Sequence, residues 1–465
     1  MLTIFDRDDR FNRRSFLQIG SLALGGLSLT QLLQTKALAA PERRPVLKDR
    51  SVIFLFLHGG PSQIETFDPK MTAPSEFRSV TGQVQTRIPG VTFGGTFPKL
   101  AALADKVSVV RSYVPGDGNH DIKPVVGRDS FGANLGSIYS RVAGRNHPDT
   151  GMPTNVLLLP RSVDASTQPG TQAFGRFAST GMLGNGYAPF DPSTGSTLQS
   201  DMRLALPMSR LNDRRALLNQ LDEVQWSAAE RATVDGMDRV REQALTTVLG
   251  GVADAFDLSK EDPRLVAAYD TSELVKPQNI DRRWNNYNNY VDNAKTLGKL
   301  LLLARRLCER GAGFVTVTTN FVWDMHADVN NAPVGEGFGY MGVPLDHALS
   351  AFIEDVHARG LDDKILLVVC GEIGRTPRLN RQGGRDHWGT LAPLLLAGGG
   401  LRMGQVIGRS NANAGEPASQ PVRIQNVVAT IMHSLMELGE VRLIPGLPRE
   451  IALTMTGWEP IAGLV

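Results

Sequence analysis

The feature that most constrains the fold of this chain is a series of short, continuous apolar runs, each followed at once by a polar loop. The first run occupies residues 51–57 and reads SVIFLFL, and His58 and two glycines follow it. A strand with one face in water alternates apolar and polar residues, whereas a strand covered on both faces is apolar throughout. Because amphipathic helices separate these runs, the pattern predicts an α/β fold with a doubly wound, mainly parallel sheet.

Four of the predicted strands end near Leu57, Arg111, Thr318 and Cys370, and a loop bearing histidine, aspartate or glutamate follows each. The carboxyl ends of parallel strands meet at one edge of a sheet, where open α/β sheets bind their ligands. We therefore expect the four loops to meet. Imidazole and carboxylate groups together suit zinc-like divalent metals, so the pattern predicts a metal site, with one ion or two, at this edge.

Six residues in these loops are candidate metal ligands. Any one of them, or any adjacent pair, is equally compatible with an ordinary hydrogen-bonded loop. Their concentration at one sheet edge favours the metal site over that alternative. The candidates are His120, Asp324, His326, Glu372, Asp386 and His387. Zinc is the expected metal, and calcium, manganese and magnesium are the alternatives.

Residues 371–389, with the sequence GEIGRTPRLNRQGGRDHWG, form the richest of the four loops. The loop carries arginines, whose planar guanidinium groups hold the oxygens of tetrahedral anions through paired hydrogen bonds. Arg375 and Arg385 flank the ligand candidates, so we predict that they bind the oxygens of a tetrahedral anion. Ordinary solvation is the alternative, and it is the preferred interpretation for Arg378 and Arg381.

The N-terminus has the pattern of a twin-arginine export signal. Residues 12–18 read NRRSFLQ, a weakly apolar stretch covers 19–33, and small residues precede a cleavage point after Ala39. A membrane anchor is the alternative, but the stretch is short for a span and contains glycines and polar residues. We expect residues 1–39 to be a signal, the mature chain to have no stable membrane span, and the protein to be periplasmic or extracellular.

Charge and cysteine content exclude several classes of protein. The chain has 49 basic and 47 acidic residues, and without residues 1–39 the two counts are equal. Such a balance predicts no binding to nucleic acid. Two cysteines, Cys308 and Cys370, do not make a disulfide framework. The sequence also lacks a glycine-rich phosphate loop with lysine and a dinucleotide-binding fingerprint. It contains no feature from which an oligomeric state can be predicted.

Residues 40–465 are predicted to form one α/β domain with an insertion at about 160–290. The insertion is interpreted as a largely helical cap, because apolar residues recur at helical spacing over 209–249. Other predicted helices lie at 296–310, 345–359 and 427–438, and further predicted strands lie at 106–111, 157–159, 313–318, 364–370 and 391–397.

Serine hydrolase chemistry is the main rival interpretation. His58 and the two glycines after it resemble the oxyanion loop of α/β-hydrolases. Such enzymes need a G-x-S-x-G nucleophile elbow between a strand and a helix, and the sequence contains none. The nearest match, around Ser410, lies in a loop with glycine and asparagine, which disfavours this interpretation.

Several separated motifs together resemble the family of domain of unknown function 1501, and the match covers nearly the whole mature chain. The motifs are the twin-arginine leader, LFLHGGPSQIETFDPK (55–70), GNHD (118–121), LLLARRLCERGAGFVTV (301–317), WDMH (323–326) and the loop 371–389. That family is grouped with the alkaline phosphatase and sulfatase superfamily. The resemblance therefore implies a doubly wound α/β core with a metal site at the carboxyl edge of the sheet.

The resemblance also implies roles for single residues. Asp324 and His326 would supply one metal position, and Glu372 stands where a strand-ending aspartate binds the other. Asp386 and His387 are similar to the last ligand motif of the superfamily.

The chain departs from the superfamily pattern at the end of the first strand and near the start of the loop 371–389. His58 stands where a metal-binding aspartate is usual, Ile373 stands where a histidine is usual, and the Cys-x-Pro-x-Arg motif of sulfatases is absent. Ser62 is the predicted nucleophile, with Thr66 as second choice. The secondary candidates for the site are His58, Glu65, Thr66, Asp68 and Asp121.

Taken with the resemblance, these features predict an exported, metal-dependent hydrolase of phosphate or sulfate esters. The metal and an arginine would stabilise the charge that develops on the tetrahedral centre, while Ser62 or a water molecule attacks. The alternative is a noncatalytic exported binding protein that keeps the fold and at most one metal.

Overall fold

The central element of the computed structural model is a mixed β-sheet, and the structure describes residues 46–194, 209–210, 213–214, 251–444 and 447–465. Among these residues the sheet has seven strands: β1 (Ser51–Phe56), β2 (Ser108–Val110), β3 (Asn155–Leu158), β4 (Phe314–Thr318), β5 (Ile365–Cys370), β6 (Leu394–Gly398) and β7 (Gln405–Ile407). Their order is β7-β2-β6-β5-β1-β4-β3. Only β6 runs antiparallel to its neighbours, so the prediction of a mainly parallel sheet is confirmed.

The apolar runs of the sequence are the central strands because both of their faces are covered. Ile53 and Leu55 of β1 share a buried cluster with residues of two long helices, among them Leu301 and Phe352. Phe54, on the other face of the same strand, is also fully buried. A strand in this position has no water-facing side, which is why its sequence does not alternate.

The helices of the described chain, numbered in order, surround this sheet: α1 (Gln63–Thr66), α2 (Pro98–Ala102), α3 (Leu135–Ala143), α4 (Ala253–Phe256), α5 (Pro263–Tyr269), α6 (Tyr287–Glu309), α7 (Val334–Ala358), α8 (Ile424–Leu435), α9 (Leu438–Val441) and α10 (Arg449–Thr456). The long helices α6 and α7 pack against each other, whereas α3 contacts β3 and β4, and α8 contacts β1.

Helix α7 begins well before the predicted start at residue 345. The added segment contains several glycines and Pro344, which disfavour a helix when the sequence is read alone. Packing explains two of these glycines: a Cβ at Gly337 would lie 2.7 Å from Met325 Sδ, and one at Gly342 would lie 2.6 Å from Thr96 Oγ1. Close packing therefore overrides the local propensity here.

Two predictions concern residues that lie largely outside the described part of the chain. The export signal at 1–39 lies wholly outside it, as does nearly all of the predicted helical segment 209–249. The described parts of the predicted cap at 160–290 contain short helical turns, the short helices α4 and α5, and the start of α6. Within the described residues, no helix has the length and apolar character that crossing a bilayer requires.

The sheet brings the four predicted loops to one edge. Phe56, the last residue of β1, lies opposite Thr318 of β4 on one side and Cys370 of β5 on the other. Strand β6 runs the opposite way, and its first residue, Leu394, lies beside Cys370 and beside Val110 of β2. The segment before β6 therefore reaches the same edge as the segments after β1, β2, β4 and β5.

Candidate metal centre

The loop after β1 is the platform on which the other loops rest. The backbone N–H groups of Val322 and Trp323 both donate to His58 O at 3.1 Å. Gly59 has a φ of +113°, and a Cβ there would lie 2.7 Å from Asp324 N. Only glycine permits both this conformation and this approach, so the loop after β4 can hold Asp324 directly against the loop after β1.

The loop 371–389 folds back on itself beside this platform. Residues Gly374–Arg375 pair antiparallel with His387–Trp388, and His387 lies opposite Arg375. Gly389 in turn contacts the loop after β2, because Gly116 N donates to Gly389 O at 3.1 Å. Long-range backbone contacts therefore bring His387 to the loop that carries His120.

Three side chains converge to form the core of the candidate site. His120, Asp324 and His387 each direct one ligand atom into a group whose members all lie within 4.8 Å of one another. His120 Nε2 and His387 Nε2 are both 3.3 Å from Asp324 Oδ1, and 2.8 Å from each other. Donor sets of two imidazoles and one carboxylate bind zinc and related divalent metals.

Two carboxylates orient the imidazoles around this group. Glu372 Oε1 is 2.7 Å from His120 Nδ1 and also accepts from Gly59 N at 2.9 Å, while Asp386 Oδ1 is 3.0 Å from His326 Nδ1. A carboxylate on Nδ1 fixes the tautomer and leaves the Nε2 lone pair for a metal or another donor. Glu372 is fully buried, and its Oε2 has no hydrogen-bond partner among the described residues.

Arg375 lies within the same cluster with every N–H group engaged. Its guanidinium is 1% exposed. The acceptors are Gly60 O at 2.8 Å, Arg385 O at 3.3 Å, His326 Nε2 at 3.3 Å, Asp324 Oδ1 at 2.6 Å, and Gly59 O. Because all five donors are used, Arg375 has none left for the anionic group that the sequence analysis assigned to it.

The electrostatics of the cluster are dominated by Asp324. Burial alone would raise its pKa, but hydrogen bonds from His120, His326 and His387 and the charge of Arg375 hold the pKa far below its usual range. Burial alone would lower the pKa of His120, and its hydrogen bonds to Asp324 and Glu372 raise that pKa above the ordinary value. The ionised Asp324 carboxylate therefore attracts positively charged groups to this site.

The residues present fit a divalent metal ion. His120 and His326 direct Nδ1 at carboxylates and Nε2 at Asp324 Oδ1, so without a metal their Nε2 atoms carry the protons that bind Asp324, and a divalent ion would take the place of those protons. Zinc–ligand bonds of about 2.0–2.1 Å place neighbouring atoms of a tetrahedral centre about 3.3 Å apart. Two of the three distances in the group match this value, from Asp324 Oδ1 to His120 Nε2 and to His387 Nε2, whereas the two Nε2 atoms are 2.8 Å apart and would have to separate by about 0.5 Å around such an ion.

The predicted nucleophile has a structural role in its local surroundings. Ser62 caps α1, and its Oγ accepts from Ile64 N and Glu65 N at 3.3 and 3.4 Å. Thr66 Oγ1 donates to Ser62 O at 2.9 Å within the same turn. Neither hydroxyl is among the contacts of Asp324, and no hydrogen bond of the described chain places either one beside an imidazole.

Arg385, predicted to bind the substrate anion, is instead enclosed by protein acceptors. It is fully buried and forms an ion pair with Glu65 at 3.1 Å. Its two terminal nitrogens also donate to the carbonyl oxygens of Thr376, Pro377, Phe77 and Arg78, and its buried Nε has no hydrogen-bond partner among the described residues. Glu65 also accepts from Ser79 Oγ at 2.6 Å, so the pair ties the loop 371–389 to the segment that follows α1.

The remaining secondary candidates also have partners of their own. Asp68 is 3.2 Å from Lys70 and 3.5 Å from Arg111, and it accepts from Ser410 Oγ. Asp121 is 2.8 Å from Lys123. These contacts lie outside the group around Asp324.

His58 lies behind the cluster in an aromatic enclosure. Its ring packs edge-on against Phe177 and Phe321, with centroids 5.7 and 5.0 Å away. Its Nε2 is buried without a hydrogen-bond partner among the described residues, and burial lowers its pKa to about 4. His58 is therefore neutral near pH 7.

Sequence reasoning missed two aromatic residues beside the cluster. Phe174 and Phe321 stack on each other at 4.5 Å, and both contact the ring of His120. Phe321 follows β4 directly, so its position after a core strand was a usable signal. Phe174 belongs to the predicted cap, and no local pattern in the sequence marks it.

Similarity to known proteins extends over most of the chain. A family model described as "Protein of unknown function (DUF1501)" matches residues 49–451. No curated protein matches the sequence. Similar solved structures include a phosphonate monoester hydrolase from Silicibacter pomeroyi, which is 10% identical with a TM-score of 0.36 over 89% of this chain and 78% of that chain.

Two further solved structures show the same level of similarity. The PsFucS1 sulfatase from Pseudoalteromonas sp. is 9% identical, with a TM-score of 0.34 over 83% of this chain and 68% of that chain. The lipoteichoic acid synthase LtaP from Listeria monocytogenes is 10% identical, with a TM-score of 0.26 over 83% and 71%. Scores below 0.5 at such identities do not establish a common activity. The family model, in contrast, covers most of the sequence, and the protein belongs to the DUF1501 family.

Proposed function

We propose that this protein is an exported, metal-dependent hydrolase of phosphate or sulfate esters. The observation that carries the proposal is the convergence of His120 Nε2, Asp324 Oδ1 and His387 Nε2 at the carboxyl edge of the sheet. Export is proposed from the twin-arginine pattern at 12–18. The proposed substrate is a small anionic ester, because a divalent ion beside a buried arginine favours negative charge.

His120, Asp324 and His387 would hold the ion, and zinc is the first choice for a set of two imidazoles and one carboxylate. When bound, such an ion polarises an ester oxygen and lowers the pKa of water, which are the two effects that ester hydrolysis needs. Glu372 keeps the Nδ1 proton of His120 in place, so that the Nε2 lone pair stays available.

Water is the proposed nucleophile. The Ser62 hydroxyl accepts two backbone hydrogen bonds in the α1 cap, and no base contacts it among the described residues. A serine without an adjacent base is a weak nucleophile. Arg375 does not clamp the substrate in this proposal; it fixes Asp324 and His326, and its charge offsets that of the surrounding carboxylates.

The experiment combines metal analysis with substrate turnover. The purified mature protein, its His387→Ala variant and a control His357→Ala variant are loaded with zinc or manganese, passed through a desalting column and analysed for metal. Each is then assayed with aryl phosphate, aryl sulfate, phosphodiester and phosphonate monoester substrates. His357 is a suitable control because it lies at the end of α7 beside Asp362, outside the cluster.

Wild-type protein and His357→Ala are expected to retain metal and to hydrolyse at least one ester, with turnover abolished by a chelator. His387→Ala is expected to lose most of its metal and at least about 100-fold in activity, since one of three ligands is gone. Metal below about 0.2 ion per chain in the wild type, with no turnover after metal is added back, would contradict the proposal and favour a noncatalytic binding protein.

A further inference from the structure

Asp324 Oδ1 is shared between two different sets of contacts. His120 Nε2 and His387 Nε2 approach it at 3.3 Å and form the three-residue group already described. His326 Nε2 approaches the same oxygen at 2.9 Å but is not a member of that group. The first set is the proposed metal site, whereas the second set contacts a positively charged side chain of the protein itself.

In the second set the cation is part of the chain. Arg375 Nη2 is 2.6 Å from Asp324 Oδ1, and Arg375 Nη1 is 3.3 Å from His326 Nε2. The two ends of one guanidinium thus reach the carboxylate oxygen and the imidazole nitrogen. A planar guanidinium is suited to such two-pronged contacts, and it stays charged at every accessible pH.

The guanidinium is fixed in this position. It is 1% exposed, and its Nε donates to Gly60 O at 2.8 Å. The side-chain amide of Gln63 holds the backbone of the same residue: Arg375 N donates to Gln63 Oε1 at 3.0 Å, and Gln63 Nε2 donates to Arg375 O at 2.8 Å. Arg375 is therefore a permanent component of the centre.

We propose that the Arg375 guanidinium takes the place of a second metal ion, so that the centre binds one divalent ion and not two. The inference rests on the metal site of the proposed function and adds the number of ions to it. A second ion beside the first would need Asp324 as a bridging ligand and His326 as a terminal one. Arg375 already occupies the contacts of both.

The formal charges of the cluster also favour one bound divalent ion. Asp324, Glu372 and Asp386 contribute three negative charges, and Arg375 contributes one positive charge. One divalent ion completes the balance. A second divalent ion would leave an excess of two positive charges, and the desolvation cost arises at the buried members Asp324, Glu372 and Arg375, since Asp386 is 57% exposed.

Removing the guanidinium would expose a ready set of donors. Replacing Arg375 by alanine frees Asp324 Oδ1, His326 Nε2 and the carbonyl oxygens of Gly59 and Gly60 together. Carboxylate, imidazole and carbonyl donors suit manganese and zinc. The variant is therefore expected to gain a second metal position.

The test counts ions. Metal-free wild type, Arg375→Ala, Arg375→Lys and the control Arg378→Ala are titrated with Mn²⁺ and with Zn²⁺ by calorimetry, and bound manganese is examined by electron paramagnetic resonance. Arg378 is an exposed arginine of the same loop. The expected result is one ion per chain in the wild type, the lysine variant and the control, and two ions with exchange-coupled manganese in Arg375→Ala.

Two ions in the wild type, or one ion in an Arg375→Ala variant whose circular dichroism is native, would overturn the inference. If Arg375→Ala does not fold, His326→Ala decides the matter: retention of one ion supports the inference, and loss of the ion refutes it. A wild type that binds no metal sinks this inference and the metal site together. One bound ion without ester turnover sinks the hydrolase proposal and leaves the inference standing.

Discussion

Two clusters of charged side chains among the described residues are built differently. At the far ends of α6 and α7, Arg305 is 1% exposed and lies 2.9 Å from Glu261 and 2.9 Å from Asp355. Arg306 and Arg359 bind the same carboxylates at 2.8 and 2.7 Å. With Glu309, three arginines face three carboxylates, so every charge has an opposite partner.

The cluster at the sheet edge has no such closure. Four nitrogen atoms, from three histidines and Arg375, approach the single oxygen Asp324 Oδ1. Glu372 is meanwhile fully buried, and its Oε2 has no hydrogen-bond partner within the described part of the chain. A closed network stabilises the fold on its own, whereas an open one needs something added, and buried groups without partners mark where that addition belongs.

The largest expected effect comes from breaking the closed cluster. Arg305→Met should lower the free energy of unfolding by about 3–5 kcal/mol, because removing one partner leaves buried carboxylates uncompensated. Urea titration followed by circular dichroism measures this, and the metal content of the folded variant should not change. Arg310→Met, at an exposed position just after α6, should shift stability by less than about 0.5 kcal/mol. Equal effects of the two substitutions would contradict the closed-network interpretation.

The next largest expected effect is a pH dependence of stability caused by His58, which is not one of the proposed metal ligands. Burial lowers the pKa of His58 to about 4. Between pH 6.5 and pH 4 the unfolded state therefore binds a proton at this histidine, whereas the folded state does not. Stability is therefore complete above about pH 6.5 and falls toward pH 4, by roughly 3 kcal/mol in total.

His58→Phe should remove this part of the pH dependence, which unfolding curves at several pH values would reveal. Phenylalanine suits a position whose neighbours are Phe177 and Phe321. The variant should also keep its metal ion. A drop in metal content would show that His58 is a ligand after all.

The smallest effect is at the carboxylate that orients His120. Glu372→Gln should weaken metal binding about 10- to 100-fold, since the glutamine retains an acceptor for the Nδ1 proton but loses the charge. Competition titration with a chromogenic chelator measures the change. Glu273→Gln, whose side chain is 81% exposed, is the control and should leave the affinity unchanged. An unaltered affinity in Glu372→Gln would mean that Glu372 has only a packing role.

The sequence predicts the strands well because their cause is local. Continuous apolar runs locate β1, β4 and β5 to within a residue or two, since burial on both faces leaves a one-dimensional signature. The direction of β6 has no such signature. A fully buried strand has the same composition whichever way it runs, so the predicted strand 391–397, which overlaps Leu394–Gly398, gives no sign of its antiparallel direction.

The proximity of the six predicted ligands could also be predicted from the sequence, but their individual contacts could not. All six predicted ligands lie in one contact network, because histidine and carboxylate after a core strand are rare enough to be informative. Arg375 and Arg385 look alike in the sequence. Only long-range contacts distinguish them: one meets Asp324, and the other meets Glu65, 320 positions away.

The antiparallel direction of β6 has a consequence for the stage of folding at which the candidate site forms. The His120–His387 contact joins residues 267 positions apart, and His387 lies in the segment that leads into β6, which pairs with β5 and β2. Contacts of such separation form late, because chain entropy must be overcome before they are rewarded. An ion bound between these two imidazoles would thus report on completed folding, and metal content would measure the fraction of molecules that have reached the native state.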